Sequence, residues 1–450
     1  MRQLLTRLGL GRPDLRAWCL YDLAQAAFQT TIIAAIFPIY FQKVAAAGTS
    51  AALATSRFAW ATTWAILIVA VVAPFLGAIA DYAGIKKKLL AVFLAIGVIA
   101  TAAMYFITRG DWLYALILFV IGNVGVSGSF IFYESLLPHL VGEDQLDIVS
   151  SAGYAIGYIG GGVMLAIDLL LMSEPAWFGL ADRGVAVRVA FAGVAVWWLL
   201  FSIPIFRRVP EPPRRLDAGE RAGQNALMTA IVRLVETFRE LRLYRQAFLF
   251  LLAFLLYNDG IQTIIRMATT YGAEIGINDN AMLGALLFTQ FIGVPFAFLF
   301  GIFADHVGAK AAVFVGLAAY AVITLLAYFM HSAWQFIALA AMVGMVQGGT
   351  QALSRSMFAS MIPKDKSSEF FAFFGVFERY AGILGPAIFA WMSAHSGTSR
   401  NAILSVLVFF IVGAALLVFV DVAEGRTVAR AAETTLARQS SWDSSGSKSS

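Results

Sequence analysis

Cysteine is nearly absent. Cys19 is the only one in 450 residues, which excludes an intramolecular disulfide and any cysteine-built metal or cluster site. Histidine is scarce too: His139, His306, His331 and His395 are scattered and form no HExxH pair, so no metal is expected. No GxxxxGK segment followed by Ser or Thr occurs, which excludes a nucleotide-hydrolysing P-loop, and no cofactor is expected. Charge is the most telling shortage. Only 13% of the residues are charged, about half the ~25% of soluble domains, while 60% are hydrophobic. A chain this poor in polar residues cannot build a water-facing surface around so much apolar material. A cytosolic enzyme, a disordered protein and a nucleic-acid reader are thereby excluded, and lipid is the solvent that remains.

A membrane helix needs ~20 mostly apolar residues. Twelve such stretches are expected, near 17–41, 58–80, 89–108, 112–138, 148–172, 187–206, 246–271, 281–303, 311–330, 334–361, 369–393 and 400–420. The first is too long for a ~7–15-residue signal-peptide core and reads as a span that is retained. Four units follow: a six-helix bundle over 1–206, a linker over 207–245, a second six-helix bundle over 246–420 and a disordered tail over 421–450. Within the linker, Pro210, Pro212 and Pro213 break the helix. Beyond them Leu227, Ile231, Leu234, Phe238 and Leu241 recur at amphipathic spacing among basic residues, the pattern of a helix lying on a membrane surface. With the N-terminus placed in the cytoplasm, 23 lysines and arginines fall on the inner side and six on the outer, with three inside spans. That bias predicts both termini cytoplasmic, in a multi-pass protein of a bacterial inner membrane.

The halves echo each other. Gly77, Asp81, Gly84, Lys86 and Lys87 form G-x-x-x-D-x-x-G-x-K-K between spans two and three. Gly301, Asp305, Gly308 and Lys310 repeat it 224 positions later, between spans eight and nine. Leu20-Tyr21-Asp22 is echoed by Leu256-Tyr257-Asn258-Asp259, and Gly153, Gly160 and Val163 by Gly375, Gly382 and Gly385. Such echoes argue for duplication of a six-helix unit. A carboxylate at the inner end of a helix, followed by a tight turn and lysines, suits a contact with the exposed amides of a neighbouring helix N-terminus. That contact would hold the two bundles together in one state and break in the other.

The loop resembles the signature of the major facilitator superfamily, although the basic residue usual after the Asp is replaced by Tyr82 and His306. A narrower resemblance spans most of the chain. It is carried by Trp18–Phe28 in span one, Tyr133–Pro138 in span four, the glycine-rich Gly153–Gly162 in span five and Gly348–Ser356 in span ten. These segments are similar to the vacuole-effluxer-like branch, also called the unknown major facilitator family. The resemblance implies twelve helices in two pseudo-symmetric bundles that rock about a midplane site. It also implies secondary transport of a small polar solute, with amino acids the substrates associated with the fungal members.

Eight ionisable residues fall within the expected spans: Asp22, Glu134, Asp168, Asp259, Arg266, Arg355, Glu378 and Arg379. Each costs at least ~2.5–3.5 kcal/mol at a helix centre if unpaired, so each is expected to face the interior. Five acids against three arginines leave carboxylates free for proton coupling. Asp259, near the midplane, is the first candidate for substrate or proton binding. Arg355, Glu134, Glu378, Arg379, Asp22 and Arg266 join it, and Tyr154, Tyr158 and Gln351 are candidate cavity lining. Gly153, Gly157 and Gly161 form a small-residue packing stripe. The function expected is a secondary active transporter moving a small polar solute, best an amino acid, by alternating access, with protons, membrane lipid and the solute as partners and a monomer as the working unit. The alternatives are a sugar, nucleoside or peptide carrier of the same fold, or a lipid scramblase or flippase. No nucleophile–base cluster supports an enzyme.

Overall fold

Lipid offers no hydrogen bonds to a peptide group, so apolar segments in it wind into helices that satisfy themselves. The computed structural model describes residues 8–49, 51–213, 228–229, 232, 244–274, 276–277, 279–381, 384–385, 387–389, 392 and 399–446, and among these the fold is all-α. The helices are α1 (Pro13–Ala45), α2 (Ala51–Ala83), α3 (Lys86–Ala103), α4 (Trp112–Leu140), α5 (Leu146–Ser173) and α6 (Arg183–Arg208). The second half holds α7 (Arg245–Glu274), α8 (Asp279–Val307), α9 (Ala309–Tyr328), α10 (Ala333–Ser360), α11 (Ser367–Tyr380), α12 (Ser399–Val418) and α13 (Val422–Gly446). Ten helices among the described residues are long and apolar enough to cross a membrane. The expected second span lies on α2. The eleventh begins as α11 and then enters residues largely outside the described set, as does the expected surface helix of the linker.

The exposed apolar side chains lie where lipid would be. Ile99, Leu113, Val196, Leu200 and Val408 are among them. The interior buries aliphatic and aromatic side chains, and among them polar ones such as Asp22 and Arg355 beside Trp18 and Tyr133. α1 is irregular: Phe28–Ala35 and Phe41–Ala45 are π-wound around a short α-helical stretch that contains Pro38. Proline lacks an N–H and crowds the carbonyl four residues back, and a widened turn relieves both.

Two packing rules position the site. Within the first half α1 packs on α5, along glycines that leave no room for a side chain: a Cβ on Gly160 would meet the Leu23 backbone, and one on Gly161 would stand 2.6 Å from Thr30 Oγ1. Between halves, α2 and α4 pack on α11, and α5 packs on α8 and α10. These cross-half helices carry Leu140, Leu146, Ser360 and Ser367 at one end of the bundle, the end that also holds Pro13 and Val422.

One expectation is corrected. Residues 421–450 were expected to be disordered, but Val422–Gly446 is a helix. Its Val422 and Val428 pack against the hydrophobic core, and Ala429 is buried. Its charged face is held as well. Glu424 accepts from Gln246 at 2.6 Å, Glu433 accepts the Lys364 N–H at 3.1 Å, and Arg430 reaches both carboxylate oxygens of Glu143 at 2.7 and 2.6 Å. The serine-rich composition belongs only to the last residues, while the stretch before it is rich in alanine, arginine and glutamate, good helix formers.

Candidate functional site

Arg355 sits two residues beyond Leu353 in the last third of α10 and is fully buried. A guanidinium presents five donors and cannot be deprotonated, so a buried one must be surrounded by acceptors. α5 and α1 supply them. Nε donates to Ser150 Oγ at 2.9 Å and Nη2 to the Ser150 carbonyl at 2.8 Å. Nη1 and Nη2 lie 3.4 and 3.5 Å from Asp22 Oδ2, and Glu134 Oε1 is 3.9 Å away. The cation also lies over three aromatic faces, with Cζ 4.6 Å from Tyr154, 4.9 Å from Trp18 and 5.9 Å from Tyr133.

The cage is itself braced. Tyr133 Oη donates to Asp22 Oδ2 at 2.6 Å, Trp18 Nε1 donates to the Tyr133 carbonyl at 3.1 Å, and the Trp18 and Tyr133 rings stack at 4.5 Å. Gly153 has a role beyond packing. A Cβ there would stand 3.0 Å from Arg355 Nη2 and from Trp18 Cζ3, and would collide with Asp22. Gly157 lies against the Asp22 backbone. Ser150 Oγ donates onward to the Ala352 carbonyl at 2.7 Å, and Ser356 Oγ donates to Asp147 at 2.5 Å. One arginine of the second half is thus locked into the first.

A second cross-half cluster lies at the same end of the bundle. Asp81 Oδ1 is 2.6 Å from Lys86 Nζ, and Asp81 Oδ2 accepts the N–H of Glu369 in the first turn of α11 at 3.0 Å. Lys86 also donates to Ser367 Oγ at 2.6 Å and lies 3.2 Å from His139 Nε2. Gly77 admits this approach, because a Cβ there would lie 2.6 Å from the Ser368 carbonyl oxygen. Lys87 turns away and donates to the Phe206 and Val209 carbonyls at the end of α6. Lys310 does the same to Val418 and Val420 at the end of α12, and Asp305 is exposed.

The remaining sequence candidates are dispersed. Asp259 is buried on α7 and accepts the Gly385 N–H at 2.9 Å, tying α7 to the segment after α11. Arg266, two turns further on, is exposed and within electrostatic reach of Asp259. Glu378 is half-buried, and Tyr154 stands within electrostatic reach of Glu378, Arg355, Glu134 and Asp22 together. The Arg379 side chain lies outside the described residues. Tyr158 packs onto Gly293 and Gly348 between α5, α8 and α10, and Gln351 is half-buried on α10. Asp168 is buried and accepts from Thr31 Oγ1, on the π-wound part of α1, at 2.6 Å. No group of three or more metal-binding side chains occurs among the described residues.

Sequence reasoning missed several members. Tyr133 has no role assigned from the sequence, and Trp18, expected there as a membrane-interface anchor, is instead buried against Tyr133 and Arg355. Ser150, Asp147, Ser367, Glu369 and the Glu143–Arg430 pair carried no signal beyond being polar residues at helix ends.

The family model described as "Vacuole effluxer Atg22 like" matches residues 48–430. A Bacillus subtilis protein named as an uncharacterized MFS-type transporter, YxiO, is 35% identical over 414 residues, covering 90% of this chain and 94% of that one. The autophagy-related protein 22 of Saccharomyces cerevisiae strain S288c is 23% identical over 392 residues, covering 76% of this chain and 72% of its own. Among solved structures, the MFS proton:xylose symporter XylE matches with a TM-score of 0.69 at 16% identity, over 93% of this chain and 97% of that one. The human organic anion transporter MFSD10 matches with a TM-score of 0.64 at 14% identity, over 92% and 99%. The fold is that of the major facilitator superfamily.

Proposed function

This chain belongs to the vacuole effluxer Atg22-like family, and with that membership, which makes it a multi-pass transporter of the major facilitator type, as premise, we propose that its cargo is an amino acid, moved by alternating access and coupled to protons. The observation that supports the substrate class is the buried Arg355 guanidinium beside Tyr154, with Asp22 3.4 Å and Glu134 3.9 Å away. A zwitterion needs both signs within its own length: a bidentate donor for its carboxylate and an acid for its ammonium. Arg355 is the donor, released when Asp22 gains a proton or turns away, and Glu378 and Glu134 are the acids. Asp259 and Arg266 form a second pair of opposite charges along α7 and extend the path. The surplus of acids over arginines supports proton coupling, and the names of fungal relatives place autophagy-related proteins in the same family.

The remaining parts of the proposal concern placement. The bundles 1–206 and 246–420, joined by the linker 207–245, rock against each other as a monomer. The end carrying Pro13 and Val422 is the cytoplasmic one, supported by the bias of 23 to six in lysine and arginine, in a bacterial inner membrane. In the conformation described, that end is shut by the Arg355 cage, the Asp81–Lys86–Glu369 cluster and the bridge from Arg430 to Glu143. These three contacts must break for cargo to leave on that side.

The test is uptake into proteoliposomes under an imposed pH gradient, with radiolabelled amino acids, xylose and uridine in parallel. Amino-acid uptake is expected, falling about 10–100-fold in Arg355→Gln, the loss of hydrogen bonds to a charged group. Uptake confined to xylose or uridine would overturn the substrate class. An undiminished rate in Arg355→Gln would remove the guanidinium from the site, and insensitivity to the gradient would remove the proton.

A further inference from the structure

The opposite end of the bundle carries a feature that transport does not use. Between α2 and α4, on the outer wall of the first half, lies a groove of about 440 Å³. Its walls are apolar and include Trp60, Trp64, Leu116, Ile117 and Ile121. Trp60 is 62% exposed and Trp64 54%, so the groove opens to the side rather than into the bundle. Arg57 stands at its head, seven residues before Trp64 and therefore ~10 Å along the helix.

Arg57 is held but not satisfied. Its Cζ lies 3.6 Å from the centroid of the Trp112 ring at the start of α4, which occupies one face of the guanidinium. Its Nη1 is buried and has no hydrogen-bond partner among the described residues. The carboxylate next to Trp112, Asp111, is engaged elsewhere: it accepts the Thr108 N–H at 2.8 Å and the Thr108 hydroxyl at 2.5 Å. Those bonds hold Asp111 below the usual carboxylate range, so it is an anion turned to Thr108 rather than to Arg57. A stacked guanidinium keeps its in-plane donors free, and a buried donor left unmade costs about 1–3 kcal/mol. The first amides of α4 add positive potential at the same level.

We propose that this groove is a binding site for an anionic phospholipid of the surrounding leaflet. The lipid phosphate receives the in-plane N–H groups of Arg57, and one acyl chain lies along Trp60, Trp64 and Ile117. The charge and the shape select together. The head of the groove offers a cation with no counter-ion among the described residues, the phosphate accepts two donors at once, and the walls accept only hydrocarbon. The site lies on the side of the first bundle, so the assignment stands or falls independently of the transported solute.

Native mass spectrometry of the detergent-purified chain tests this, with dioleoylphosphatidylglycerol as probe and dioleoylglycerol, which has the same chains without the phosphate, as the comparison. Phosphatidylglycerol is expected to form the tightest adduct. Arg57→Gln should weaken it about tenfold, the loss of one charge-assisted hydrogen bond. Ile121→Trp, which fills the exposed lip of the groove without touching the core, should weaken it as well. Wild-type affinity in either variant, or dioleoylglycerol binding as tightly as phosphatidylglycerol, overturns the assignment. Retention volume and lipid-free thermal unfolding establish that both variants fold, and the Ile121 variant decides alone if the Arg57 variant does not.

Discussion

The two copies of the G-x-x-x-D loop share a scaffold and differ in what it does. Both have a glycine with positive φ after the acid, 65° at Gly84 and 86° at Gly308. Both have a glycine earlier in the helix that admits the opposite half closely, Gly77 against Ser368 and Gly301 against Ser151. Each also sends a lysine to the carbonyls ending the sixth helix of its half: Lys87 to Phe206 and Val209, Lys310 to Val418 and Val420. Among the described residues, only the first copy joins its acid to the opposite half, at the Glu369 N–H. It has three consecutive lysines, so Lys86 stays with Asp81 while Lys87 closes α6. The second copy has one, and it is spent on α12. Asp305 is left exposed, within electrostatic reach of the like-charged Asp147 on α5. The two copies thus share the turn and the helix closure and differ in whether the acid and its lysine also meet the opposite half.

This contrast can be broken from its strong side first. Asp81→Asn leaves Lys86 buried without its anion, a loss expected to cost about 3–5 kcal/mol. Asp305→Asn should stay within about 0.5 kcal/mol, as surface substitutions do. Thermal unfolding of the two variants in one detergent checks the difference, and equal shifts would end the asymmetry. The shared element comes next. Lys87→Met and Lys310→Met each remove a cation from helix-end carbonyls and should each cost about 0.3–1 kcal/mol by the same assay. A much larger loss for either would mean that it also latches. The smallest effect sharpens the comparison. Ala311→Lys restores a second lysine, free to take over α12 so that Lys310 can pair with Asp305. A gain of about 0.2–1 kcal/mol is expected. It should vanish in the double variant with Asp305→Asn.

Helix positions were legible because a chain with so little charge leaves one solvent, and lipid leaves one secondary structure for a long apolar run. α6 and α12 could be placed to within a few residues on that ground alone. The interior was legible by type and not by pairing. That Arg355 must be buried among acceptors follows from its place in an apolar helix. That the acceptors are Asp22, 333 positions away, and the carbonyl of Ser150 follows only from the way α10 crosses α5 and α1. Asp259 shows the same limit. Its midplane depth drew attention to it, yet a backbone amide, Gly385, is its hydrogen-bond partner in the structure, and backbone amides have no signature in a sequence. The tail was misread because its terminal serines coloured the whole segment, while Glu143, to which Arg430 binds, lies in a short loop that composition does not distinguish.

Cys19, the lone thiol, lies one turn before Asp22 on the same face of α1 and is buried, within electrostatic reach of Asp22 and Arg355. Its isolation makes the native chain a clock for its own opening. A water-soluble maleimide has one sulfur to find, and it reaches that sulfur only when the packing around Cys19 opens. The labelling rate therefore reports exposure of Cys19 in the unmodified protein, with no engineered probe. A solute that draws the guanidinium away from Asp22 should be visible as a change in that rate before any transport is measured.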